Sequence, residues 1–400
     1  LTLSEGLEVI GEAAFSETNL KDIVIPASVK TVNRNAFAKC LALESFSVAS
    51  ETAKVTFMQT VFSDCTALKN LKLEGIGAFG QEMFKNCTAI TSVDLPLSAT
   101  SSGTKVFSGC TNLKTATAAE GVKVIGSQMF FGCPITKFTI PSTADTCHGA
   151  FMGHEDLVEV VSNTPYLGER VFEKCEALTK VTLNNTVELG GNIAQGKKTG
   201  NAFACCVNLA EIDLPDTLTT IHPGCFQDCF AMETISIPDK VTLLDSGLFE
   251  NCTGLKEVKI EGDGVIYGIG IETFMGCELL TDIPVSEHVE IIGYGAFSGC
   301  TGITKMTIPK AVTVIDRSTF EGCTNLRIVE FKGQITKIGM KAFGNCTKLS
   351  SYGDLQDNDK IAPFTLPSTV TSIGAEAFSG CEYINFQIPS GVTEIGSKAF

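Results

Sequence analysis

Apolar residues recur along this chain in a fixed order, with neither a pure helical nor a pure strand period. One well-kept stretch runs Phe297, Cys300, Ile303, Met306, Ile308, Pro309, Val312, Ile315, Asp316 and then Phe320, with mostly polar residues between. Its general form is F-x-x-C-x-x-L-x-x-I-x-I-P-x-x-V-x-x-I-G-x-x-A-F. The I-x-I end alternates apolar and polar positions, the mark of a short strand buried on one face. Proline follows it at Pro26, Pro96, Pro141, Pro215, Pro238, Pro309, Pro367 and Pro389. With no N–H to give a ladder, proline ends the strand there. Four residues before the Phe stands Gly in ten units: Gly11, Gly80, Gly103, Gly126, Gly168, Gly270, Gly293, Gly339, Gly374 and Gly396. Asn33, Asp245 and Asp316 fill the same slot in three more units, while Ser never does. Gly, Asn and Asp tolerate positive φ, so the pattern predicts a left-handed corner there, followed by about one helical turn carrying A-F-x-x-C.

The repeat length follows from the aromatic residues. Phe15, Phe37, Phe62, Phe84, Phe107, Phe130, Phe151, Phe172, Phe203, Phe226, Phe249, Phe274, Phe297, Phe320, Phe343, Phe378 and Phe400 are most often 23 residues apart. Only two intervals are badly out of line, at 31 and 35 residues. Cys stands three residues after Phe in 14 of these 17 units, from Cys40 to Cys381, and Thr18 and His154 replace it in two. A unit this short cannot bury its apolar face alone, but stacked copies bury a continuous column. The expected fold is a repeat solenoid over residues 1–400, with Phe above Phe and Cys above Cys, and a length of roughly 75–80 Å at the usual strand spacing. The longer intervals place loop insertions near 190–200 and 351–362. The chain opens and stops within a unit, so it is expected to be a fragment of a longer protein.

These residues resemble the BspA-type leucine-rich repeat family. The likeness covers nearly the whole chain and rests on fourteen F-x-x-C matches in register. It implies a leucine-rich-repeat-like, right-handed curved stack of about 16 turns, each with one short parallel β-strand plus a turn or short helical segment. Proteins of this family are secreted or displayed at the surface, and several bind host proteins or neighbouring cells. The family brings no shared catalytic residues. One departure stands out: the slot after the strand holds Pro, and Cys lies in the opposite part of the unit.

Composition narrows the chemistry. Of 31 aromatic residues, 26 are Phe and none is Trp, and the 17 Cys are an odd number. The formal net charge of −15 makes nucleic acid and anionic membrane poor partners, and no apolar run is long enough to span a bilayer. The ladder cysteines should be buried free thiols, because pairing would twist each Cβ out of its column. His222, Cys225 and Cys229 have a metal-like spacing, as do Cys147, His148 and His154, but neither set offers four ligands, and no metal or cofactor is expected. Asp354, Asp357 and Asp359 only faintly resemble a calcium loop. Asn86, Asn184, Asn251 and Asn345 begin N-x-T sequons, three of them part of the repeat itself. No nucleophile elbow, phosphate loop or zinc-protease motif is present, and no level shows carboxylates in adjacent units, which disfavours an enzyme.

The outward strand positions carry mainly Thr, Lys, Ser and Glu. Among them Lys69, Lys72, Lys114, Lys137 and Lys180 form a basic stripe in an acidic molecule, the candidate binding site for an acidic partner. The expected function is therefore non-enzymatic: a secreted or cell-surface monomer, without a membrane span in this segment, that binds a protein ligand such as a host matrix or cell-surface protein. A passive spacer presenting another domain is the alternative, with a carbohydrate-active enzyme behind it.

Overall fold

In the computed structural model, which describes residues 1–144, 148–191, 200–281, 283, 285–350 and 364–400, the I-x-I segments form strands of up to four residues. Asp22–Ile25, Lys137–Ile140 and Thr234–Ile237 bury every second side chain, as the alternation requires. The strands pair in parallel with the same residue of the next unit: Asp22 lies beside Ser45, Lys137 beside Glu159, and Glu159 beside Lys180. The fold is a parallel β-solenoid of about sixteen coils. A second strand, usually two residues long, forms on the V-x-x-I-G segment of most coils, where one strand per coil was expected. Thr31–Val32, Val314–Ile315 and Ser372–Ile373 are examples, and they too pair in parallel, Val314 with Lys337 and Ser372 with Glu394.

The described residues divide into two compact units, Leu1–Thr186 with Gly190–Lys197, and Val187–Leu189 with Lys198–Phe400. In the first, the rings of Phe15, Phe37, Phe62, Phe84, Phe107, Phe130, Phe151 and Phe172 stack face to face, with centroids 5.1–6.1 Å apart. In the second, Phe203 through Phe343 stack in the same way at 5.4–5.8 Å. Phe378 follows Phe343 at 5.4 Å despite the 35-residue interval. Nearly all these rings are fully buried, which makes them the main apolar contribution to the core.

The expected helical turn is absent. The A-F-x-x-C segment is instead a run of overlapping β-turns, in which alternate N–H groups bond within the coil and to the next one. In the coil of Phe37, Ala36 N donates to Asn33 O (3.2 Å) and Ala38 N to Asn35 O (3.0 Å), while Asn35, Phe37 and Lys39 donate to Gln59, Val61 and Ser63 of the following coil. A helix would have directed all of these bonds inside the coil and left its neighbour unpaired.

The left-handed corner also lies elsewhere. None of the glycines four residues before Phe has positive φ; the left-handed residues sit two before and two after Phe, as at Asn35 and Lys39 or Glu272 and Gly276. Positive φ at the third residue of the turns that begin four residues before Phe and at Phe itself, as in Asn33–Ala36 and Phe62–Cys65, is the type II signature. Gly is needed at the earlier position for space. A Cβ on Gly293 would lie 2.6 Å from the backbone of Gly270, and one on Gly339 would lie 2.5 Å from Arg317 N. Gly11, in the first coil, has nothing within 4 Å of that point.

The ladder cysteines are free and, apart from the half-buried Cys381, fully buried. Nearly every one of these thiols donates to the carbonyl of the Phe one coil earlier: Cys87 to Phe62 O (3.1 Å), Cys252 to Phe226 O (3.0 Å) and Cys323 to Phe297 O (3.0 Å). The same carbonyl accepts the N–H of its own coil's Cys, as Phe62 O does from Cys65 (3.3 Å). Cysteine thus fills apolar volume while satisfying the second lone pair of a buried carbonyl. Burial pushes the thiols of Cys252 and Cys323 up to about 12, so they stay protonated donors.

Candidate interaction surfaces

All five stripe lysines lie on the long-strand face of the first unit. Lys137 and Lys180 open their strands, Lys69 and Lys114 directly precede theirs, and Lys72 follows Asn70–Leu71. Cross-strand carboxylates engage three of them: Lys69 with Glu44 at 2.7 Å, and Lys137 and Lys180 with the same Glu159 at 2.5 and 2.6 Å. Hydrogen bonds from Lys137 and then Lys180 hold the Glu159 carboxyl at about 2, well below the usual range. These ammonium groups are exposed, so the pairs stabilise the fold little. Lys72 and Lys114 are exposed and have no ion-pair partner among the described residues.

The metal-like clusters are occupied by the repeat. His222 Nε2 lies 2.5 Å from Glu188 Oε1, Cys225 donates to Leu189 O (3.4 Å), and Cys229 donates to Phe203 O (3.3 Å). Cys147, Asp354, Asp357 and Asp359 lie outside the described residues. His154 takes a ladder position, buried to 3 % exposure, with neither ring nitrogen bonded. Burial pushes its imidazole down to about 4, keeping it neutral. Among the described residues no three His, Cys, Asp or Glu side chains gather as metal ligands, and no helix is long and apolar enough to cross a membrane.

The sequon asparagines also have structural partners. Asn86 and Asn251 adopt positive φ and donate to Asp64 Oδ1 (2.9 Å) and Asp228 Oδ1 (3.0 Å), while Asn184 donates to Asn163 Oδ1 (2.7 Å). Carboxylates do come together across coils, contrary to expectation. Glu250 is raised by burial first, and then by Glu272 and Asp228 from the coils on either side.

Two further columns were not picked out from the sequence. They carry the residue three before each ladder Phe and the outward residue of each short strand. In the first unit the former column is polar: Arg34, Gln59 and Gln81, with Thr60 and Glu82, line an open cleft of about 320 Å³. In the second unit it holds Ile271, Tyr294, Arg317 and Met340. Their carbonyls accept in turn from Gly247, Glu272, Gly295 and Ser318, which fixes them on consecutive coils. The Arg317 guanidinium lies 4.1 Å over the Tyr294 ring. On the short strands of this unit Leu243, Ile291 and Val314 are 41, 67 and 37 % exposed, and Tyr267, directly before the strand Gly268–Ile269, is 49 % exposed. Tyr, Arg and bulky aliphatic groups are what protein interfaces select. The signal was available in the one-coil spacing of Ile291 to Val314 and Tyr294 to Arg317.

Comparison with known proteins bears on this geometry. A profile for the BspA type leucine rich repeat region matches six times, over residues 1–101, 47–158, 77–198, 197–267, 267–354 and 354–400. The crystal structure of a leucine-rich repeat protein from Bacteroides ovatus is similar, with 26 % identity, a TM-score of 0.59, and coverage of 86 % of this chain and 81 % of that one. A leucine rich cell surface protein from Faecalibacterium prausnitzii matches at 23 % identity with a TM-score of 0.40, over 83 % of this chain and 86 % of that one. Among curated protein sequences there is no match.

Proposed function

The chain belongs to the BspA-type leucine-rich repeat family, and on that premise we propose that it is a non-catalytic binding protein, secreted or displayed at a cell surface, that adheres to a protein ligand. Host matrix and cell-surface proteins are the ligand class. The supporting observation is the long-strand face of the first unit, which sets Lys69, Lys72, Lys114, Lys137 and Lys180 outward against Asp22, Glu44, Asp94 and Glu159. This local cationic excess on a chain of net −15 fits an acidic patch on the ligand, with repetition across coils adding weak contacts together. The polypeptide is captured from a panel of purified matrix and mucosal proteins, and the capture is repeated with the five lysines changed to Glu. Loss of a saturable partner in the variant is expected. Capture that is unchanged by the charge reversal would remove the stripe from the binding site, and no saturable capture by either protein would favour a spacer.

A further inference from the structure

The short strands of the second unit and the residue before one of them present a partly exposed apolar strip, with the His288 ring edge-on to Tyr267 at 6.5 Å. Leu243 pairs in register with Gly268, which pairs with Ile291, and Val314 follows one coil later. Tyr267 stands beside Glu290, whose N–H donates to Tyr267 O (2.9 Å). Outward apolar groups gathered on one face cost solubility unless something covers them, which marks such faces as contact sites.

The charge around the strip says what kind of partner covers it. Glu287 and Glu290 are exposed and have no ion-pair partner among the described residues. The second unit holds 14 Lys and Arg against 26 Asp and Glu, a net charge of −12. A second copy of the same face would bring like charges together, so self-association is disfavoured. A guanidinium already rests on a tyrosine in this unit, Arg317 over Tyr294, whereas the half-exposed Tyr267 ring has the His288 ring at its side but no Lys or Arg over it among the described residues. A basic side chain laid on Tyr267 would find both the ring face and the Glu290 carboxylate.

We propose that the Leu243–Tyr267–Ile291–Val314 strip, rimmed by Glu287 and Glu290, docks a segment of a partner protein in which Arg or Lys alternates with apolar residues. This inference rests on the binding role proposed above but uses a different surface, one that does not involve the lysine stripe.

The test is fluorescence anisotropy of the full chain with a short fluorescein-labelled peptide alternating Arg or Lys with Leu or Phe. An oligolysine peptide of equal charge serves as the control. The mixed peptide should bind more tightly than oligolysine. Ile291→Asp should weaken it about tenfold, the loss that follows removal of an interface anchor, and Glu290→Lys should also weaken it. The Ile291 change is decisive because it makes the face more acidic: simple attraction to an acidic protein predicts tighter binding, and docking predicts weaker. Ile291 is 67 % exposed, so the substitution leaves the core intact. Equal binding of the two peptides, or undiminished binding to Ile291→Asp, overturns the proposal. So does sedimentation showing that the wild type self-associates and the variant does not. Glu substitutions in the lysine stripe should leave peptide affinity undiminished, which separates failure of this inference from failure of the stripe.

Discussion

The interiors of the two units follow one pattern, and the units differ in what they show to solvent. Both are built on stacked phenylalanines and thiol-to-carbonyl bonds, as at Cys110 (3.2 Å) and Cys300 (3.0 Å). The first has 16 Lys and Arg against 19 Asp and Glu, net −3, whereas the second is at −12. At the same column position, the first carries Arg34, Gln59 and Gln81 around a polar cleft, and the second carries Ile271, Tyr294, Arg317 and Met340. Since core and surface occupy alternating positions of one repeat, surface chemistry can change coil by coil without disturbing the stack. Stability in this fold is a property of the column, and recognition is a property of the individual coil.

The largest expected break in the shared interior is at His154, which interrupts the thiol ladder of the first unit only. A free histidine titrates near 6.5, and burial holds this one near 4. Between those values the unfolded chain binds a proton that the folded chain does not. The stability contribution is therefore complete above pH 6.5 and is lost as pH falls towards 4, by up to about 3 kcal/mol. Hydrogen exchange resolved by coil should show faster opening around Phe151 at acid pH, and His154→Cys should remove the excess by restoring the ladder. Acid-induced exchange that is identical in the two proteins would contradict this.

A smaller effect separates two glycines at equivalent positions. Gly293→Ala drives a methyl to 2.6 Å from the Gly270 backbone and should cost about 1–3 kcal/mol, whereas Gly11→Ala meets nothing within 4 Å and should be neutral. Denaturant midpoints decide the matter: equal costs at both positions would mean that close approach is not the reason for glycine.

The smallest effect concerns the left-handed residue two before Phe, which is Glu272 in one coil and Gly295 in the next, at φ 55° and 62°. Glu272→Gly should stabilise by about 1 kcal/mol and Gly295→Ala destabilise by a similar amount, read as opposite shifts of the thermal midpoint.

The repeat, its phase, the strands before Pro and the stacked columns were legible because apolar side chains at fixed spacing admit few other burial patterns. The reason for Gly was misassigned. Left-handed backbone and a neighbouring coil both favour the smallest residue, and a single sequence does not separate them. The left-handed position two before Phe escaped notice because Lys105, Arg170, Glu272 and Lys341 occupy it, residues whose own preference lies elsewhere and which the inter-coil bonds override, whereas the one two after Phe was legible in Asn86, Gly109, Gly276 and Gly299 and was passed over for the more regular Gly four before Phe. The second strand was missed because two residues carry too little alternation to register. Of the surfaces, the lysine stripe was visible because lysine recurs in the long strands. The Tyr267–Ile291 face was missed because its residues lie on or just before the short strands, and Tyr294 with Arg317 in the turn before Phe.

Phe378 rests on Phe343 at the ordinary ring separation although twelve extra residues of chain lie between them compared with a regular coil. The stacking of these two rings is thus indifferent to the number of residues between them. A foreign epitope, an affinity tag or a protease site spliced into that corner would be carried as cargo, its length set by the application, with the aromatic spine registering no change.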